Sequence, residues 1–399
     1  MSCLTCMRRT AMHPLSSLIL ARPISLLLKT NRGFANSSST PDTAEELANG
    51  LLKGDRYCLS RSITLVESSH PDIRKDGQFI LDRAMDFLAE RESKSGEYSL
   101  RIGLSGPPGA GKSTFIEALG SRLTGTVPWL KDHGKSAKCP QNDFVPVDKH
   151  RVAVLAIDPS SKSTGGSLMA DKTRMTLLSR DPNAYIRPSP SGGSLGGVAR
   201  STNETVILCD ACGYDVVLVE TVGVGQSEVA VADMVDLFVL VIPPAGGDEL
   251  QGLKRGIAEY ADIVLVNKAD GDLVPAARRI AREYSSALRY QRTRYPNWRP
   301  KVMIASSLEG TGILEFWNEV VKFKEEQLKS GDLQDIRKKQ LKVWMWNYIK
   351  DGVWHHFNNH PLVRERIGQY ERMVESGEMA PGKAAEKIVH LFLHNTESV

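Results

Sequence analysis

Cysteine is scarce in this chain: six in 399 residues, at positions 3, 6, 58, 139, 209 and 212. Two lie near the N-terminus, and the other four are too few and too scattered for a disulfide-built scaffold. Acidic residues are missing altogether from the first forty positions, where Arg8, Arg9, Arg22, Lys29 and Arg32 stand among serines and leucines. A long apolar run is also lacking. The stretch from Leu15 to Leu28 is broken by Arg22 and Pro23 and falls short of the ~20 residues that cross a bilayer, so no transmembrane segment is expected. A dinucleotide-binding glycine fingerprint is absent as well, which turns the reading away from NAD- or FAD-linked chemistry.

The formal charge of +4 is an effect of the leader, because the chain beyond residue 40 has 46 basic residues against 47 acidic ones. A nearly neutral body gives no electrostatic ground for nucleic-acid binding. The basic, serine-rich, acid-free segment 1–40 reads as a mitochondrial targeting peptide, cleaved near Ala35 or shortly beyond, which places the mature protein in the matrix. A secretory signal centred on Leu18–Ala21 is the weaker reading, since basic residues follow it and no well-formed cleavage region does.

What is present is glycine and proline, 33 and 20 of them, set in loops that punctuate apolar runs. The spacing predicts an N-terminal helical extension over 44–94, in which Phe79, Ile80, Ala84, Phe87 and Leu88 form one face. Strands are expected at Tyr98–Leu104, Val152–Ile157, Val216–Val219, Leu237–Ile242, Ile263–Val266 and Lys301–Ile304, with helical intervals between several of them. That alternation defines an α/β, Rossmann-like P-loop fold with a mostly parallel sheet over 98–325. Beyond residue 313 the pattern turns helical, with Leu341, Trp344, Tyr348, Phe357, Ile388, Leu391 and Phe392 as anchors and Pro361 and Pro381 as breaks. This tail reads equally as an internal cap or as an arm across another subunit. Residues 124–150, with Pro128, Pro140 and Pro146, read as a surface insertion, either tolerated length or a partner-binding loop.

Gly106-Pro107-Pro108-Gly109-Ala110-Gly111-Lys112-Ser113-Thr114 follows the first strand and opens a helix. Its glycines let backbone N–H groups approach phosphate oxygens, Lys112 neutralises β and γ charge, Ser113 offers a hydroxyl to Mg2+, and Thr114 stands near the α phosphate. Asp158, at the end of the second strand, is either a metal contact or a loop cap, and Asp171 is a conditional member of the same shell. Glu220 ends the third strand in Glu-Thr-Val-Gly-Val-Gly-Gln, where a carboxylate holds a metal-bound water or else closes a hydrogen-bond network. Val224 follows Gly223 where many self-sufficient GTPases place a water-positioning glutamine, and Gln226 comes two residues later. Slow intrinsic hydrolysis, accelerated when a partner closes this loop, is the resulting expectation.

Asn267-Lys268-Ala269-Asp270 leaves the fifth expected strand on the same face. Asp270 suits guanine N1 and N2, Asn267 steadies the loop, the Lys268 stem covers the ring, and Ser306 and Ser307 complete the pocket. GTP and GDP are therefore the expected ligands. Cys209-Asp-Ala-Cys212 has zinc-like spacing without a second ligand pair and reads as the end of a packed helix.

In this order the segments resemble the MeaB-like family of P-loop GTPases, which takes in the methylmalonic aciduria type A proteins. The resemblance spans about residues 45–395, with 124–150 the main departure, and rests also on Asp158-Pro159-Ser160-Ser161, Asp171–Met175, Glu220–Glu228 and Pro243–Gly252. It implies a GTPase chaperone of adenosylcobalamin-dependent methylmalonyl-CoA mutase, with cofactor supplied by a cobalamin adenosyltransferase, damaged cofactor rejected and the mutase protected or reactivated. It also implies a homodimer using a helical arm over 333–399, and a mobile loop, Gly246–Lys254, with Asp248, Glu249 and Lys254 as coupling residues. A metallochaperone for another enzyme is the alternative; it needs a cargo-metal site, for which Cys209, Cys212 and nine histidines offer little. A P-loop kinase is a further competitor, opposed by the guanine motif.

Overall fold

The computed structural model describes residues 43–68, 70–125, 149–158, 175–190, 195–221, 227–244, 255–289 and 293–394. The expected targeting segment, most of the 124–150 insertion, Asp171, Gln226, Asp248, Glu249 and Lys254 lie outside the described residues.

Three helices come first. Helix α1 (Ala44–Leu52) starts in a reciprocal box, Thr43 accepting from the Glu46 N–H while Glu46 accepts from that of Thr43. Helix α2 (Arg56–Val66) is capped by Asp55, which accepts from Tyr57 and Cys58 N–H groups at 2.7 and 3.0 Å. Helix α3 (Pro71–Ser95) opens on a proline, whose missing N–H costs nothing there, and stops at Gly96 in the left-handed region. Leu51, Leu59, Ile63, Ile80 and Ala84 of these helices are fully buried, whereas Phe79, expected on the same face as Ile80 and Ala84, is exposed because it stands about 100° round the helix from Ile80.

The body is a sheet of seven parallel strands among the described residues: β1 (Leu100–Ser105), β2 (Val152–Asp158), β3 (Ala184–Pro190), β4 (Val216–Thr221), β5 (Leu237–Ile242), β6 (Ile263–Val266) and β7 (Lys301–Ile304). Their spatial order is β3-β2-β4-β1-β5-β6-β7. Register is tight across the centre, with Leu104 opposite Glu220 on β4 and opposite Val239 on β5. Helices α4 (Lys112–Leu123), α5 (Leu195–Ala211), α6 (Ser227–Ala232), α7 (Arg255–Ala258) and α8 (Val274–Leu288) connect the strands. Continuous Val/Ile/Leu runs, buried on both faces, are what a helix-covered parallel sheet requires.

The sequence pattern missed β3. Its Pro188 and Pro190 argue against a strand, but β3 is an edge strand bonded only to β2, and an edge spares a proline the donor it lacks. The first strand also begins at Leu100 rather than Tyr98.

Four helices close the chain: α9 (Ile313–Ser330), α10 (Asp332–Asn359), α11 (Pro361–Glu375) and α12 (Pro381–His394). Helix α10 lies against the body through one stripe, Arg337, Gln340, Trp344 and Tyr348. Gln340 donates to the Val235 carbonyl at 2.9 Å, Trp344 to that of Asp233 at 3.1 Å and Tyr348 to that of Arg200 at 3.3 Å. Its other side leaves Met345, Trp346, Ile349, Val353 and Trp354 exposed. Leu341, expected as an anchor, is exposed too, because it falls between the two stripes.

Candidate nucleotide site

All strands of the sheet point the same way, so the loops leaving β1, β4, β6 and β7 gather at one edge. That is where an open α/β sheet binds ligands. The loop after β1 turns on Gly106, with φ of 145°, where a Cβ would stand 1.9 Å from the Val241 carbonyl oxygen. Only glycine fits. Gly111, with φ of 84°, precedes α4, and a Cβ there would lie 2.6 Å from Asn267 Nδ2.

Lys112 opens α4 and folds back over its own loop, its ammonium donating to the Gly106 and Pro107 carbonyls at 2.8 and 3.1 Å. Its neighbour Ser113 donates to Glu220 Oε1 at 2.8 Å. This brings together two of the predicted metal ligands, one from the helix start and one from the buried end of β4. A hydroxyl beside a carboxylate is the hard oxygen set that suits Mg2+. Asp158 ends β2 on the same edge, one residue past the Ile157–Thr221 register pair. Thr114, Pro108 and Gly109 are exposed, while Ala110 is buried.

Asn267 joins the two halves of the site. Its Nδ2 donates to the Ala110 and Gly111 carbonyls at 3.0 and 3.2 Å, and its Oδ1 accepts from Ser307 Oγ at 2.8 Å. The fully buried Asn267 side chain thus fixes the phosphate loop relative to the turn after β6. Lys268 takes the left-handed conformation at φ 60° and remains exposed. Asp270 accepts from Ser306 Oγ at 2.6 Å, so each of the two serines after β7 bonds a residue of this turn.

Sequence reasoning missed Glu117. From α4 it accepts the Leu177 and Leu178 N–H groups at 2.6 and 3.3 Å, holding the chain as it enters β3 to the helix behind the phosphate loop. Burial pushes its carboxyl up, against the two N–H groups that lower it. An acid on the apolar side of a helix was the available signal. Cys209 and Cys212 sit buried at the end of α5, where burial pushes the Cys212 thiol up to about 11 and the Cys209 thiol well above its ordinary range. Among the described residues no group of three His, Cys, Asp or Glu side chains is placed to hold a metal ion.

A glycine-walled loop at a helix start, on the carboxyl edge of a parallel sheet and beside an Asn-Lys-Ala-Asp turn, defines a P-loop nucleotide-binding protein. The chain belongs to the family of methylmalonyl Co-A mutase-associated GTPase MeaB, whose model matches residues 59–127 and 134–361. The break at 128–133 falls inside the insertion. The chain is 52% identical over 350 residues to the mouse methylmalonic aciduria type A homolog, mitochondrial, covering 87% of this chain and 79% of that one. It is 44% identical over 372 residues to the Caenorhabditis elegans protein of the same description, covering 92% and 88%. A crystal structure described as a LAO/AO transport system kinase matches with a TM-score of 0.64 and 32% identity, covering 88% of this chain and all but 1% of that one, being 99% covered. The protein is accordingly a GTP-hydrolysing enzyme that binds GTP or GDP with Mg2+.

Proposed function

We propose that this protein is the GTPase chaperone of adenosylcobalamin-dependent methylmalonyl-CoA mutase in mitochondria, and that GTP binding and hydrolysis control cofactor loading, protection and reactivation of that enzyme. The family match, which runs through the phosphate loop, both strand-end acids and the guanine turn, is the observation that carries this reading. The mitochondrial descriptions of the animal relatives and the acid-free leader support the location.

In this reading Gly106–Gly111 cradle the phosphates and Lys112 leaves its own loop carbonyls for β and γ oxygens. Ser113, Asp158 and Glu220 would hold Mg2+, with Asp171 a conditional further member of that set. Bound there, Mg2+ would supply neutralisation of the phosphate charge. Asn267 keeps the base turn in register with the phosphate loop, Lys268 covers the guanine face, and Asp270 accepts from N1 and N2. Gln226 positions the attacking water when the partner is bound, and Asp248, Glu249 and Lys254 pass the nucleotide state to the mutase. A cobalamin adenosyltransferase supplies the cofactor. The exposed apolar stripe on α10, with Trp346 and Trp354, supports a homodimer built on the C-terminal helices, because large unpartnered apolar faces mark association surfaces.

The test is a reconstitution of this protein with methylmalonyl-CoA mutase, adenosylcobalamin and GTP, reading GTP turnover and mutase activity together, before and after deliberate cofactor damage. Mutase-stimulated hydrolysis with GTP-dependent recovery of mutase activity is expected. Unchanged turnover together with no recovery refutes the reading.

A further inference from the structure

The opposite edge of the sheet, where β1, β2 and β4 begin, holds a cavity of about 510 Å³. That volume lies within the range of small-molecule sites. Six residues of β1 separate it from the phosphate loop, about 20 Å at the rise of a strand, so nucleotide bound at one edge does not reach the other.

The walls are unequal in charge. Arg91 of α3, Lys149 before β2 and Lys324 of α9 line the cavity beside the imidazole of His150, against the acids Glu97 and Asp215. Asp215 is already engaged: it accepts the Arg151 backbone N–H at 2.9 Å and stands 3.7 Å from His150 Nδ1. Glu97 is exposed on the rim. Arg91 is spent on Asp210 at 2.5 Å. The two lysines differ from it, for among the described residues neither Lys324 nor Lys149 has an ion pair or hydrogen bond.

Lys324 is half-buried, and burial pushes its ammonium below the usual range, with Asp215 opposing that shift. Holding such a charge partly away from water with no carboxylate in direct contact is costly, and an anion delivered from solvent adds to the attraction that Asp215 exerts from a distance. The neighbouring surface is fixed in place, because the Leu100 N–H donates to the Asp215 carbonyl at 2.8 Å and the His150 ring packs edge-on against Trp317 at 5.3 Å.

We infer that this cavity binds a small phosphate- or carboxylate-bearing metabolite, with Lys324 and Lys149 taking its negative charge and Arg91 and His150 behind them. Because phosphate also fits the nucleotide loop, the experiment uses the full chain saturated with GDP and Mg2+. Inorganic phosphate and succinate are titrated in turn at millimolar concentration by calorimetry. Heat from either probe is expected, and which probe binds tells a phosphorylated ligand from a carboxylate. Lys324→Gln should weaken that binding roughly tenfold or more, as loss of a charged hydrogen-bond donor does, and Lys324→Arg should recover most of it. Lys149→Gln, at an exposed position, gives the same reading should Lys324→Gln fail to fold. No heat with either probe, or equal binding by the wild type and the glutamine variants, overturns the assignment.

Discussion

Arg337 grips Asp236 with two nitrogens, Nε at 2.9 Å and Nη2 at 2.7 Å from the two carboxylate oxygens. The arginine comes from α10 and the acid from the residue before β5, so the pair fastens the C-terminal helices to the sheet. Arg337 also donates to the Ser99 carbonyl at 2.8 Å, while Asp236 accepts the Arg101 N–H at 2.9 Å. Arg101 and Arg91 share Asp210, which draws α3 and α5 into the same buried network. Replacing Arg337 by alanine strands Asp236 in the interior, and a loss of about 3–5 kcal/mol is expected. Arg337→Lys cannot reproduce the fork and should remain measurably destabilised. Urea unfolding of the three proteins checks both.

The same network sets an acid limit on stability. Burial alone works to raise the Asp236 and Asp210 carboxyls, but the guanidinium groups prevail and hold both below the usual range. A depressed folded value stabilises above the unfolded pKa of about 3.9 and is lost as pH falls through the folded value. Wild-type melting temperature should therefore fall steeply below about pH 4. In Arg337→Gln the fall should be shallower, because Asp236 no longer keeps a depressed value. Parallel curves for the two proteins would count against this origin.

Asn267→Ala removes the bonds to the Ala110 and Gly111 carbonyls and to Ser307 at once. GTP affinity should drop by roughly tenfold or more, since buried partners are left unpaired. Fluorescence titration with a labelled guanine nucleotide reads the change, and wild-type affinity would show that the bridge is dispensable.

Ser113→Ala should uncouple nucleotide affinity from Mg2+. Chelating the metal should weaken GTP binding to the wild type by about tenfold or more and to the variant far less. An equal response in both would place the metal contact elsewhere.

Cys209→Ala and Cys212→Ala should leave metal content and GTP turnover unchanged, because both thiols are buried in the core at the end of α5 and held protonated. Loss of a stoichiometric transition metal in either variant would revive a metal-delivery function.

Local patterns were legible where one segment carries its own signal. Strands β5, β6 and β7 run over the residues their apolar runs predict, and the glycine loop and Asn-Lys-Ala-Asp turn meet at one edge. The edge strand β3 was hidden by its prolines. The Arg337–Asp236 pair was illegible because its members are 101 positions apart, and nothing local marks an arginine as buried rather than solvated. Glu117 differs in carrying a local signal, an acid on the apolar side of its helix, but its partners, two N–H groups 60 and 61 residues later, were not legible. The two stripes of α10 blurred its periodicity, so Leu341 looked like an anchor.

Everything assigned to the site depends on Asp270 choosing guanine beside a triphosphate held at Lys112. Competition calorimetry with GTP and ATP in Mg2+, on the wild type and on Asp270→Ala, measures that choice directly. Preference for GTP in the wild type and its collapse in the variant are the expected result; equal or tighter binding of ATP by the wild type contradicts the account.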